Sequence, residues 1–259
     1  MNTRYFRLLT FLLTYFFITV FFVINFDLGY TISMILYLFV PSVYFSWQNQ
    51  KIIKKVLFYS FSFSMPAVFL FDYIAHVSNS WYVPSETGIR VLGAFPVEEI
   101  AWAFLFFYFI LIIYNTFFIK HQNINIFTRN TKYFAWFVAV LMSIFALIFF
   151  IDKDLLIIND FYILLIIFFM IVPSILFLYK NPQYIKRVIF ITFIFLPTFL
   201  IYEYSALKTG QWFFDGQHYV GWVYFLDVKF PTEELLFMIF SVSGIVSFYE
   251  FYSNKKSIS

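Results

Sequence analysis

Eight runs of about twenty mostly apolar residues, parted by short polar breaks, limit what this chain can fold into. They cover roughly 5–24, 29–47, 53–75, 96–118, 133–151, 161–179, 186–206 and 231–252. As a helix, such a run matches the thickness of a bilayer's hydrocarbon core. In lipid every backbone polar group must find a partner within the protein, which leaves helices or a closed barrel. None of the runs alternates polar and apolar residues, so helices are predicted and sheet within the runs is not. Composition agrees: 63% of the chain is hydrophobic and 12% charged, beyond what a soluble domain tolerates. Arg4 and Arg7 before the first run resemble the start of a signal peptide. However, the run from Leu8 to about Ile24 is long and aromatic, with no small-residue cleavage site before Asn25. It is expected to stay as the first span.

Loop charges predict the orientation. Arg4, Arg7, Lys51, Lys54, Lys55, Lys120, Arg129, Lys132, Lys180, Lys186, Arg187, Lys255 and Lys256 fall on one side. Arg90, Lys153, Lys208 and Lys229 fall on the other, a split of 13 against 4. The positive-inside rule then puts both termini in the cytoplasm, as an even number of spans requires. Among the acids, Glu250 alone lies on the basic side. The small net charge of +3 points to no nucleic-acid partner, and the lack of cysteine removes thiolate nucleophiles and thiolate metal sites. His76, His121 and His218 form no metal-binding spacing and are expected in ordinary interfacial roles.

The chain repeats itself. Pro41 and Pro173 are 132 residues apart. Pro66 and Pro197, Asp72 and Glu203, and Trp81 and Trp212 are each 131 apart. Pro96-Val97-Glu98-Glu99 and Pro231-Thr232-Glu233-Glu234 are 135 apart. This order predicts an all-α polytopic bundle of eight transmembrane helices in two tandem four-helix repeats, residues 1–120 and 121–259. An even number of spans per unit gives both repeats the same orientation, related by an axis along the membrane normal. Both acidic stretches then lie at one depth near the outer face.

Pro96 and Pro231 suit the first position of a helix, where a missing N–H costs nothing. Glu98 and Glu99, like Glu233 and Glu234, would fall in a first turn, where the helix dipole favours negative charge. Adjacent residues on a helix point about 100° apart, so one glutamate of each pair can face the interior while the other bonds locally. Anchoring at headgroups is the plain explanation for one such pair. Two pairs at repeat-related positions, each with an upstream acid and a tryptophan, point instead to a site. Carboxyls crowded in an apolar cavity resist carrying several charges at once, so at least one holds a proton near neutral pH. Such an acid can protonate an alkene, aromatic faces can stabilise the resulting cation, and a second carboxylate can remove a proton. That chemistry requires no redox cofactor and no metal. The chain has no dinucleotide fingerprint, no Walker motif and no DDxxD-type site, and Asp152-Lys153-Asp154 reads as a solvated outer loop.

At these residues the sequence resembles the integral membrane lycopene cyclase family, the small type with a heterodimeric or fused two-repeat organisation. The likeness rests on Asp72, Trp81, Gly93-Ala94-Phe95-Pro96-Val97-Glu98-Glu99, Glu203, Gly210-Gln211-Trp212 and Pro231-Thr232-Glu233-Glu234, and spans roughly residues 30–250. It implies cyclisation of lycopene end groups to β-rings without net redox change, with Glu98, Glu99, Glu233 and Glu234 as catalytic acids and bases. Asp72, Trp81, Glu203 and Trp212 would bind substrate. It further implies a lipophilic polyene substrate, membrane lipid and other carotenoid-pathway enzymes as partners, and a bacterial cell membrane as location. Glu203 stands where the first repeat has Asp72, which allows the two halves to differ.

Other readings stay open. A terpenoid or C50-carotenoid cyclase would use the same protonation chemistry on another polyprenyl chain. A transporter with acidic gates would need polar residues along its spans, and these have few. An intramembrane protease would need an Arg or His near each Glu-Glu pair, where Trp102-Ala103 and Phe237-Met238 stand instead.

Overall fold

The computed structural model describes residues 3–118 and 129–253. The boundary between 120 and 121, and with it Lys120, His121, Lys255 and Lys256, lies outside the described residues. Eight helices are long and apolar enough to cross a membrane: α1 Phe6–Asn25, α2 Tyr30–Gln48, α3 Gln50–Val77, α4 Glu98–Phe118, α5 Asn130–Ile151, α6 Phe161–Lys180, α7 Pro182–Lys208 and α8 Thr232–Ser253. Their bounds match the apolar runs to within a few residues. The polar breaks end them because a span can bury only as many apolar residues as the hydrocarbon is thick.

Prolines inside the spans leave local marks. Pro41 and Pro173 each follow a stretch of π-helix, Ile35–Phe39 and Ile167–Ile171. A proline donates no N–H and crowds the carbonyl four residues back, and a wider turn relieves that clash. A third π stretch, Val68–Asp72, follows Pro66 and ends on an acid. Pro197 sits inside an uninterrupted α-helix.

At one end of the bundle, the connections before α4 and α8 form small antiparallel hairpins. One pairs β1 Arg90–Val91 with β2 Phe95–Pro96. The other pairs β3 Trp222–Phe225 with β4 Val228–Pro231. The spans are free of strand as expected, but the loops are not. The prolines also differ from expectation: Pro96 and Pro231 close strands instead of opening helices. There a missing N–H is again harmless, and the next residue resumes the bonding. Val97 N–H donates to Ile89 O at 3.1 Å and Thr232 N–H to Gly221 O at 2.9 Å. Glu98 and Glu99, and Glu233 and Glu234, fall in the first turns of α4 and α8 as predicted.

Two helices form the centre. The apolar windows of α4 and α8 are 67% and 56% buried, against 6% for α5, so α5 lies at the periphery. The main core joins α1, α3, α4, α7 and α8 through residues such as Phe16, Tyr59, Phe109, Phe195 and Tyr249. Opposite the hairpins, two buried hydrogen bonds tie α4 to α8: Tyr114 donates to Glu250 at 2.5 Å, and Tyr249 donates to the Asn115 side-chain oxygen at 2.9 Å.

Candidate functional site

Just inside the hairpin end, the helices enclose a cavity of about 240 Å³. Four carboxyls line it: Asp72 from α3, Glu99 from α4, Glu203 from α7 and Glu234 from α8. Each sits where local structure can aim it. Asp72 ends the π turn of α3. Glu99 and Glu234 occupy first turns, where unpaired N–H groups and the helix dipole favour an acid. The rest of the lining is apolar and largely aromatic, including Trp81, Trp102, Phe106, Phe199 and Trp212.

The acids form two neighbouring couples, Asp72 with Glu99 and Glu203 with Glu234. The second couple is held by hydrogen bonds. Trp212 Nε1 donates to Glu203 at 3.0 Å, and the Tyr162 hydroxyl donates to Glu234. Ring contacts then cross the cavity in both directions. Tyr30 packs edge-on against Trp212 with centroids 6.2 Å apart, and Tyr162 packs on Trp81 at 4.9 Å. Tyr37 stacks on Tyr202 at 4.5 Å while Phe169 meets Phe71 at 4.6 Å. Above the cavity, Tyr82 and Phe213 exchange two backbone hydrogen bonds of 3.0 and 2.9 Å.

Six of the eight residues singled out in the sequence line this space: Asp72, Trp81, Glu99, Glu203, Trp212 and Glu234. Glu98 and Glu233 do not. Glu98 turns to the loop before the first hairpin, accepting Thr87 N–H at 2.7 Å and the Ser85 hydroxyl at 3.4 Å. Glu233 accepts Val220 N–H at 2.6 Å. Each therefore fastens the loop over the cavity, and each glutamate pair divides into an outer holder and an inner acid. The 100° step between neighbours allows this division without saying which residue takes which place. Reasoning from sequence missed Tyr162, which serves Glu234, and Tyr30. The signal was available, since Tyr30 and Tyr162 are 132 apart, the same spacing as Pro41 and Pro173.

Of the remaining expectations, Asp152, Lys153 and Asp154 are exposed, and His218 lies 4.0 Å from Asp160 in an exposed loop pair. Among the described residues, no group of three or more His, Asp and Glu is placed to hold a metal ion.

An aromatic chamber with four convergent carboxyls can donate a proton, shelter a cation and accept a proton back. Its walls stabilise positive charge, and a lining of this kind admits little water.

Eight membrane-length apolar helices around such a chamber define a multi-pass membrane protein. The chain matches no family model, no curated protein and no solved structure.

Proposed function

We propose that this protein is an isomerising carotenoid cyclase that converts the linear ends of lycopene to β-rings by proton transfer between carboxyls. The observation that carries the reading is the chamber itself: two couples of acids, one from each half of the chain, facing one aromatic space. One carboxylic acid adds a proton to the end-group alkene. The cation closes the ring by taking up electrons of the neighbouring double bond. A carboxylate then removes a proton from the adjacent carbon to leave the ring alkene. One proton enters and one leaves, so the product is an isomer and the bookkeeping needs no oxidant. Glu99 and Glu234 are the acid and base candidates, with Asp72 and Glu203 as their partners. Glu98 and Glu233 act through the loops they hold.

The reading includes a tandem four-helix repeat with a shared orientation, both termini cytoplasmic, in a bacterial cell membrane. Reciprocal contacts support the repeat. Tyr30 meets Trp212 and its counterpart Tyr162 meets Trp81. Tyr37 meets Tyr202 and Phe169 meets Phe71. Tyr114 bonds Glu250 and Tyr249 bonds Asn115. In every case the partners exchange places at a spacing of 131 to 135 residues.

Expression in a lycopene-accumulating host tests the function. Chromatography of the pigments should show lycopene giving way to cyclised isomers of unchanged mass. Lycopene that persists beside well-expressed protein overturns the reading, and ring closure on a longer polyene alone would reassign the substrate.

A further inference from the structure

The chamber continues away from the acids as an apolar channel. It follows α8 from Glu234 to Phe248, fourteen residues that rise roughly 21 Å at 1.5 Å each. On the same flank it is lined by Phe134, Phe137, Val138 and Leu141 of α5 and by Phe169 and Met170 of α6. A cavity near 240 Å³ is smaller than the pockets that enclose drug-sized ligands. It takes one end of a long hydrocarbon chain, whose remainder must lie elsewhere.

The two flanks of the bundle differ in how they are closed. On the first, α1 is zipped to α2: Tyr15 donates to Leu36 O at 2.8 Å, Phe11 stacks on Tyr44 at 4.1 Å and Phe16 meets Tyr37 at 5.2 Å. On the second, α5 and α6 pack into separate clusters. The α5 residues Leu141, Phe145 and Phe149 join Val68, Leu70 and Tyr73 of α3. The α6 residues Phe161, Leu165 and Ile166 join Ala75, Trp81 and Leu236. Among the described residues no hydrogen bond or ring contact links α5 to α6. The channel lies along this unzipped seam, and Phe137, which lines it, is 48% exposed on the lipid side.

We propose that the α5–α6 seam is the portal through which a linear polyene enters from the bilayer, with its leading end at the acids and its tail passing out beside Phe137. This deepens the cyclase reading and rests on it for the identity of the polyene. The occupant is an apolar chain and not a peptide or a sugar, because away from the acids the channel walls are aliphatic and aromatic with Ser241 as the polar exception, and they open to lipid. The α1–α2 seam stays shut, so chains enter from one side.

The chain has no cysteine, which permits a reversible test. A Val138→Cys/Met170→Cys protein in lipid nanodiscs is bridged with a cleavable bifunctional thiol reagent. Loading is then followed with a linear conjugated tetraene fatty acid, by energy transfer from the cavity tryptophans. Bridging should slow loading by about tenfold, a barrier change of roughly 1.4 kcal/mol, and cleavage of the bridge with reductant should restore it. The same bridge across Phe11→Cys/Tyr44→Cys on the closed flank should leave loading unchanged. A bridged α5–α6 protein that loads at the unbridged rate overturns the portal. Loading is read apart from turnover, so the two proposals separate. Wild-type protein that loads the tetraene but leaves lycopene unchanged loses the cyclase reading and keeps the portal. Turnover of lycopene that survives the bridge does the reverse.

Discussion

Replacing each of the four paired glutamates by glutamine should sort them into two phenotypes, although they are neighbours in sequence. Glu98 and Glu233 each hold a loop by accepting a backbone N–H, at 2.7 and 2.6 Å. Glutamine keeps an acceptor oxygen and loses only the charge-assisted part of that bond, a cost of about 1 kcal/mol. Alanine removes the acceptor altogether, but Thr87 and Val220 are exposed and water takes up part of the lost bond, so the cost is about 1.5 kcal/mol. For a chain this size each kcal/mol moves the unfolding midpoint by roughly 2–4 °C. Glu99 and Glu234 face the chamber beside a second acid. There glutamine relieves a crowded charge, so stability should hold or rise. Loss of a positioned acid or base lowers turnover by about 10²–10⁴-fold, equal to roughly 3–5.5 kcal/mol of barrier. The assay pairs thermal unfolding in detergent, followed by tryptophan emission, with chromatography of carotenoids from the expressing cells. Expected are active but less stable proteins for Glu98→Gln and Glu233→Gln, and stable but inactive ones for Glu99→Gln and Glu234→Gln. If Glu98→Gln or Glu233→Gln abolished turnover at wild-type stability while Glu99→Gln and Glu234→Gln turned over normally, the division of each pair would be refuted.

Three further outcomes are expected. Tyr162→Phe removes the donor to Glu234 and should lower turnover and shift its pH profile, while substrate loading stays unchanged; an unaltered profile would count against Tyr162 as a positioning residue. Tyr114→Phe breaks a buried bond to Glu250, and thermal unfolding should report a loss of about 1.5–3 kcal/mol with no loss of cyclisation at permissive temperature. Burial pushes the Tyr219 hydroxyl up to about 12 from its ordinary 10.0. The fold thus prefers the neutral phenol, so its contribution is complete below pH 10 and fades as pH rises through 12. Tyr219→Phe, which also loses the bond to Ser80 O at 2.7 Å, should cost about 1 kcal/mol at neutral pH and flatten that alkaline loss.

How much of this was legible in the sequence depends on the range of the forces involved. Span lengths were readable because bilayer thickness imposes them residue by residue. The acids were readable because a carboxyl at membrane depth is costly and therefore conspicuous. The inward choice of Glu99 over Glu98 was not, because helix phase is set by what the loop offers: Thr87 and Ser85 claim one carboxylate before the cavity receives the other. The hairpins were hidden because strands of two and four residues carry no period. Their turns also use left-handed residues that sequence rarely announces, Leu92 at φ 53° and Leu226 at φ 53°. The peripheral place of α5 was unreadable for another reason. It has a mean hydropathy of 2.7, among the highest of the eight, and a lipid-facing helix and a buried one look alike in composition.

The bridge between Tyr82 and Phe213 has a consequence for assembly. On the proposed repeat these two residues are counterparts 131 positions apart, so the bridge is a residue bonding its own equivalent. Contacts of that kind are the mark of isologous homodimers, where one patch meets a copy of itself. The same holds for the Tyr114–Glu250 and Tyr249–Asn115 bonds, which differ only where an asparagine faces a glutamate. None of these contacts needs the peptide connection between α4 and α5. On the proposed repeat, two polypeptides cut there would retain every one of them, as the two subunits of a dimer would.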